Sequence, residues 1–591
     1  MGASRLRRAG LHLILGLALG APLLACGGAA ARAGEPAQAA RVAGQGYDDP
    51  IAYDMAPDAS LARSAARQAA AVTRHTLRLA GRRLRYTATA GHLLVRRPGQ
   101  PSRVEAALYY VAYTLDGQDP ARRPITFFWN GGPGCSSIYL DLGGWGPRTL
   151  DIDEARLPMA ELARSPRFRL HANRQTLLPD TDMVFVDAIG TGWSEAVAPY
   201  RNRDFEGVDA DARLMRDFII DCLRDNARVM SPKYLYGESY GGIRTPIVAR
   251  LLEQYGALAR GAPVLDGLIM NSPILDYKTN CYMRWYADKR PSVRLADGDI
   301  AFTRPTVSCE GYVPSYVMVH YAQARPDATL AQGRQAARRA IALAREVWKP
   351  EWRAYRATLA SAHWLLPYAP DDFGASQQRA FARLGLASGL RASAWARDFN
   401  MNVPDFDSAL LGLDAAQWDR AWSRVDRYDA MVRLPARLSG YVSPNGRWER
   451  WVAGSDYLDA SVLHAERRFT SSFLEYRDPS PYVVDRWPAH WDWHHGSDHS
   501  NHPQSVSDLY EAMTLNPQLR VLIAQGEQDT AAPFYQTMLD LRAGGLATKL
   551  PIHLYPGGHM LYLTRPSHAL FKARLDRFYA QAGAPSPASA R

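Results

Sequence analysis

The chain has 591 residues, of which 47% are apolar, 22% charged and 10% aromatic. That is enough to bury a full core, and it excludes collagen, coiled coil and wholesale disorder. Lys plus Arg number 70 against 59 Asp plus Glu, a formal charge of +11; the excess is modest and dispersed, so nucleic acid is not an expected partner.

Residues 1–10 carry Arg5, Arg7 and Arg8 without an acid, and the apolar run from Leu11 to Ala25 follows. The run is short for a bilayer span and reads as a secretory signal over residues 1–25. It ends in Leu23-Leu24-Ala25-Cys26, which resembles the bacterial lipobox, so Cys26 is the expected lipidation site of a periplasmic, membrane-anchored protein. Ala31-Arg32-Ala33 offers an ordinary cleavage site and a soluble periplasmic or secreted product as the alternative. Any contact with membrane is then through the lipid alone. Residues 26–70, rich in Ala, Gly and Pro, read as a flexible tether. Of the remaining cysteines, Cys281 and Cys309 flank a loop-like stretch and are the preferred disulfide in an oxidising compartment, although Cys135 and Cys222 leave other pairings open.

Strands are predicted at Leu77 to Leu94, Val104 to Thr114 and Pro124 to Asn130, then at Met183 to Val186. Helix and strand then alternate: Asp209 to Asn226 helical, Tyr234 to Tyr236 extended, Ile243 to Tyr255 helical, Leu265 to Met270 extended. Val521 to Ala524 and Ile552 to Tyr555 are two further buried strands, and a helix runs from Ser567 to Ala582. Such alternation predicts an α/β fold with a mostly parallel central sheet flanked by helices. Residues 277–515 break the rhythm with helical patterns such as Ala328 to Trp348, and read as a large, mainly helical cap inserted between core segments 71–276 and 516–584.

Gly237-Glu238-Ser239-Tyr240-Gly241 fits a nucleophile elbow, lying between a buried strand and a helix. So tight a turn predicts glycines at both flanks, where a Cβ would meet neighbouring backbone. A serine hydroxyl needs a base, and His559 in Pro556-Gly557-Gly558-His559-Met560 lies on a glycine-rich turn just past a strand. Asp529, past the strand at Val521 to Ala524, is the expected orienting acid, with Glu527 the alternative. The order Ser239, Asp529, His559 is that of the α/β-hydrolase fold. Asn130-Gly131-Gly132-Pro133-Gly134 follows the third strand, so the N–H groups of Gly132 and Tyr240 are the predicted oxyanion donors.

Trp129 to Ser137, Asp187 to Ser194, Gly237 to Gly242, the Asp529 segment and Gly558-His559-Met560 together resemble the serine carboxypeptidase family, peptidase family S10, in the form of its bacterial members. The resemblance implies a serine-type carboxypeptidase that acts on peptides through an acyl-enzyme. Asn130 and Glu238 would bind the substrate's C-terminal carboxylate, and Met560 would line the leaving-group pocket. A protonated glutamate donates to a carboxylate, so acidic pH is favoured. The chain departs from better-known eukaryotic members, which place a second glutamate where Asp141 to Pro147 has none. An esterase, amidase or acyltransferase on the same triad, and an inactive peptide-binding lipoprotein, are the alternatives. No cofactor or metal is required. The histidine-rich stretch His490 to His502 carries zinc-binding residue types, but no helix or strand fixes a ligand geometry there, and it reads as a rim or solvated loop.

Overall fold

The computed structural model describes residues 45–581, apart from 158–167, 257–263, 283–291, 295–299, 303–306, 362–372, 414–423, 427, 434–455, 489 and 498–499. The predicted signal, Cys26 and the start of the tether lie outside the described residues.

Nine strands form the path of one sheet: β1 (Ala70–Leu79), β2 (Arg82–Arg96), β3 (Val104–Leu115), β4 (Ile125–Trp129), β5 (Asp182–Val186), β6 (Lys233–Glu238), β7 (Gly267–Asn271), β8 (Arg520–Gly526) and β9 (Ile552–Tyr555). Their order is β9-β8-β7-β6-β4-β5-β3-β2-β1, and the short strand Glu195–Ala196 joins the sheet by pairing with β3. From β9 to β5 every pairing is parallel, whereas β5, β3, β2 and β1 pair antiparallel. The central strands are apolar without alternation because both faces are covered. Phe128, Tyr234 and Tyr236 enter one core cluster with Phe571 and Leu575 of the C-terminal helix, while Phe127, Trp129 and Leu235 enter a second with Phe218 and Ile247. The covering helices are α1 (Val208–Asp225), α2 (Gly241–Tyr255), α3 (Val506–Leu515) and α4 (Arg565–Ala580).

Three expectations change. The strand predicted from Leu77 to Leu94 is a hairpin whose turn, Ala80 and Gly81, has positive φ of 46° and 78°. The tether predicted to reach residue 70 ends earlier: Ile51, Tyr53, Met55 and Leu61 are buried, and Tyr47–Asp48 pairs in parallel with Tyr476–Arg477. The span 277–515 is also divided. Its helices Val313–Ala324, Leu330–Ser361, Ala375–Ser388, Ala392–Arg397 and Val403–Leu410 share a separate cluster that includes Tyr316, Trp348, Phe381 and Trp395. The chain is already back in the sheet domain at Leu458, Val462 and Phe469, which join the first cluster; further on Val483 bridges Gly192 and α3 contributes Leu509 to the second cluster. Cys281 and Cys309 are joined in a disulfide, as preferred from the sequence, with Cα atoms 5.2 Å apart. Among the described residues no helix is long and apolar enough to cross a membrane.

Candidate active site

Parallel strands bring their carboxyl ends to one edge, which is where open α/β sheets carry their sites. Asn130 follows β4, Ser239 follows β6, Asn271 closes β7, Asp529 follows β8 and His559 follows β9. Ser239 sits at φ 61°, a left-handed conformation that a serine adopts only where its surroundings hold it. Its N–H donates to Asn271 O at 3.2 Å, and its carbonyl accepts from Gly242 N at 2.8 Å and Ile274 N at 3.0 Å.

The glycines of this turn are needed for contact, but one differs from the expected position. A Cβ on Gly237 would lie 2.1 Å from Thr245 Oγ1, and one on Gly242 would lie 2.4 Å from Ile274 O. A Cβ on Gly241 would make ordinary contacts from 3.5 Å outward, so Gly242 rather than Gly241 is the tight position on the helix side.

Asn130, Gly131, Gly132, Cys135, Glu238, Ser239, His559 and Met560 line one pocket together with Tyr139, Tyr428, Leu458, Asp459 and Asp485. His559 Nδ1 lies 2.8 Å from Asp529 Oδ2, and Asp529 Oδ1 accepts the N–H groups of Ala531 at 2.9 Å and Ala532 at 2.8 Å. Those two donors fix the carboxylate, which fixes the imidazole. The Tyr428 ring stacks on His559 at 5.2 Å, and the His559 N–H donates to Tyr428 O at 2.9 Å. Burial opposes charge on His559, but Asp529, with Glu238 and Asp426 beyond it, holds its pKa above the usual histidine value. Nε2 of His559 is buried with no hydrogen-bond partner in the structure, and His559 and Ser239 line the same pocket. In free enzymes a nucleophile–base bond is often long and closes only around substrate. Glu527, the alternative acid, lies elsewhere: a Cβ on Gly333 of the helix Leu330–Ser361 would be 2.9 Å from its Oε2.

Of the predicted donors, Tyr240 follows the serine in the chain and Gly132 lines the same pocket. Gly131 approaches most closely, since a Cβ there would lie 2.5 Å from Tyr240 N and 2.7 Å from Ser239 Cβ. Behind them Arg244, fully buried, donates to Asn130 O at 2.8 Å and to Asp211 Oδ2 at 2.6 Å, tying the β4 loop to α1 and α2.

Glu238 is buried, and Asn130 Nδ2 donates to its Oε1 at 2.8 Å. Two partners were not read from the sequence: Tyr562 donates to Oε1 at 3.0 Å and Asn271 Nδ2 to Oε2. Burial pushes Glu238 up to about 7, against the pull of His559, Tyr562 and Asn271. Asp141, in the segment lacking the second glutamate, bonds instead to the Tyr113 hydroxyl at 2.9 Å. In the histidine-rich stretch, His495 Nε2 lies 2.9 Å from Asp508 Oδ2 and Nδ1 contacts Asp209, so this loop is clipped to α1 and α3. Among the described residues no three His, Cys, Asp or Glu side chains are grouped to hold a metal ion.

The pocket thus holds a serine hydroxyl, a histidine oriented by an aspartate, and a buried carboxyl paired with an asparagine. The sheet and its carboxyl-edge pocket define an α/β-hydrolase fold. Residues 83–290 match the family model described as serine carboxypeptidase, so the resemblance carried by the first three motifs holds over that stretch. Two Arabidopsis thaliana relatives are similar: serine carboxypeptidase-like 2, 24% identical over 182 residues, and serine carboxypeptidase-like 44, 28% identical over 208 residues. The alignments take in 30% and 31% of this chain but only 38% and 39% of those relatives, well under half their length. Among solved structures, Kex1(Δ)P, a prohormone-processing carboxypeptidase from Saccharomyces cerevisiae, superposes with a TM-score of 0.45 at 12% identity, covering 84% of this chain and 91% of that one. Proline iminopeptidase from Mycobacterium smegmatis gives 0.31 at 14% identity, covering 83% and 98%.

Proposed function

We propose that this protein is a serine carboxypeptidase that releases the C-terminal amino acid of peptides, with binding of the peptide end favoured at acidic pH. The observation that carries the reading is Glu238, a buried carboxyl with a raised pKa, bonded to Asn130 in the pocket that holds Ser239 and His559. In this reading Ser239 Oγ attacks the last peptide carbonyl while His559 Nε2 takes its proton. Asp529 holds the imidazole in the tautomer that leaves Nε2 free to accept. The N–H groups of Gly132 and Tyr240 stabilise the developing oxyanion, a contribution of about 3 kcal/mol per donor in other hydrolases. His559 then passes the proton to the departing amine, which leaves past Met560, and water reverses the sequence to free the acid.

Specificity for the chain end comes from charge. An ionised Glu238 repels the substrate carboxylate, whereas a protonated one donates to it beside Asn130 Nδ2. Affinity is therefore expected to fall as pH rises through about 7. The test is incubation of paired peptides, one with a free C-terminus and one with a C-terminal amide, at several pH values with mass spectrometry. The reading predicts loss of single residues from the free C-terminus below neutrality and little reaction with the amide. Equal cleavage of both peptides would instead indicate an amidase, and no cleavage by a folded protein would indicate a binder. We also propose export, with Cys26 as the lipid anchor; the Cys281–Cys309 disulfide supports an oxidising compartment. Labelling of expressing cells with an alkyne fatty acid should mark the wild type and not C26S.

A further inference from the structure

Glu238 is surrounded by neutral donors. Asn130 Nδ2 and the Tyr562 hydroxyl reach Oε1, and Asn271 Nδ2 reaches Oε2. The ionisable groups that face it are His559 and Asp529 across the pocket, Tyr236 on its own strand, and Tyr562. Among the described residues no second carboxyl hydrogen-bonds to it. Room for the Tyr562 ring is made by two glycines: a Cβ on Gly143 or Gly144 would lie 3.0 or 3.1 Å from ring carbons of Tyr562. The phenol therefore packs over the segment Gly143-Gly144.

The three donors are not equivalent. An amide nitrogen can only donate, so Asn130 and Asn271 as oriented bond the carboxylate more strongly than the carboxylic acid and cannot accept its proton. Their amide oxygens are buried with no hydrogen-bond partner in the structure, turned away from Glu238. A phenol both donates and accepts. Burial and the nearby Glu238 keep this one protonated far above the working range.

We propose that Tyr562 is a positioning residue of the carboxylate-binding site: its hydroxyl bonds the ionised carboxyl of Glu238 more strongly than the protonated one, and so sets the pH at which the site stops accepting a peptide C-terminus. The inference rests on the carboxypeptidase reading. Because the phenol donates to the ionised form, removing it should let Glu238 keep its proton to higher pH. Tyr562→Phe keeps the ring over Gly143 and Gly144 and deletes only the hydroxyl.

The experiment measures KM and kcat of a free-acid peptide from pH 4 to 9 for the wild type, Y562F and E238Q, with a thermal melt of each. In Y562F the pH at which KM begins to rise should move up by about one unit, since a hydrogen bond to a charged group carries roughly a tenfold effect or more. The pH midpoint of kcat, which reports His559, should move less. A KM profile that stays in place, moves down, or shifts together with kcat overturns the role of Tyr562. E238Q separates the two levels of the argument. If it flattens the KM profile while Y562F leaves it unmoved, only the tyrosine is wrong; if it leaves the profile as in wild type, the carboxylate-binding reading falls and the Tyr562 role with it.

Discussion

Glu238 should make the folded protein less stable in alkali, and the size of the effect follows from its surroundings. Its pKa rises from 4.5 to about 7 on folding. A raised carboxyl contributes stability that is fully present below 4.5 and is lost as pH rises through about 7. At 1.36 kcal/mol per pH unit, the ionised form carries a penalty of about 3 kcal/mol at pH 8. Glu238→Gln removes the titration and resembles the protonated state: Gln Oε1 can still accept from Asn130 and Tyr562, and its amide can pair with Asn271 once that side chain flips to present its partnerless oxygen. Urea denaturation of the wild type and E238Q at pH 4.5 and pH 8 isolates the effect, because other groups titrate alike in both proteins. The difference between them should shift by about 3 kcal/mol in favour of the variant on going to pH 8. A difference that does not change with pH would show that Glu238 is not held in the environment described.

Further outcomes follow from the same geometry. Asp529→Asn should lower kcat by roughly 10³ to 10⁴-fold while the protein stays folded, because the imidazole loses the acceptor at Nδ1; steady-state kinetics and a thermal melt check this together. Gly242→Ala should destabilise by about 1–3 kcal/mol through overpacking against Ile274 O, whereas Gly241→Ala should be far milder, as compared by melting. His495 is lifted to about 9 by Asp209 and Asp508 against the effect of burial, so its contribution is full below 6.5 and is lost as pH rises through about 9. His495→Gln should therefore cost about 1–2 kcal/mol at pH 6 after allowance for solvent screening, and much less at pH 10 by the same denaturation assay.

The sheet was legible because its parallel strands are buried on both faces, so Phe127-Phe128-Trp129 and Tyr234-Leu235-Tyr236 stand out as short apolar runs between helical periods. The hairpin turn at Ala80-Gly81 was hidden, since neither flanking residue pair is a strong turn former and the Arg-rich segment after it keeps a strand-like spacing. Residues 45–69 looked like tether by composition, yet Ile51, Tyr53 and Met55 recur every second residue, the one local signal that could have placed them against the core. Ser239 and His559 could be found because each sits on a glycine-rich turn after a strand, and Asp529 because it follows a buried strand between them in the chain. Asn271 and Tyr562 had no such signal: Asn271 ends an ordinary strand, and Tyr562 meets Glu238 across 324 residues of sequence through a contact that only the folded chain creates.

Ser239 as an activated nucleophile is the centre of the proposed chemistry. Treatment of the folded protein with a fluorophosphonate, followed by proteolysis and mass spectrometry, tests that claim without knowledge of the natural substrate. One label per chain is expected, on Ser239, slowed by a competing free-acid peptide below neutrality and largely abolished in His559→Ala. A wild-type protein that stays unlabelled, or carries the label on another residue, would contradict it.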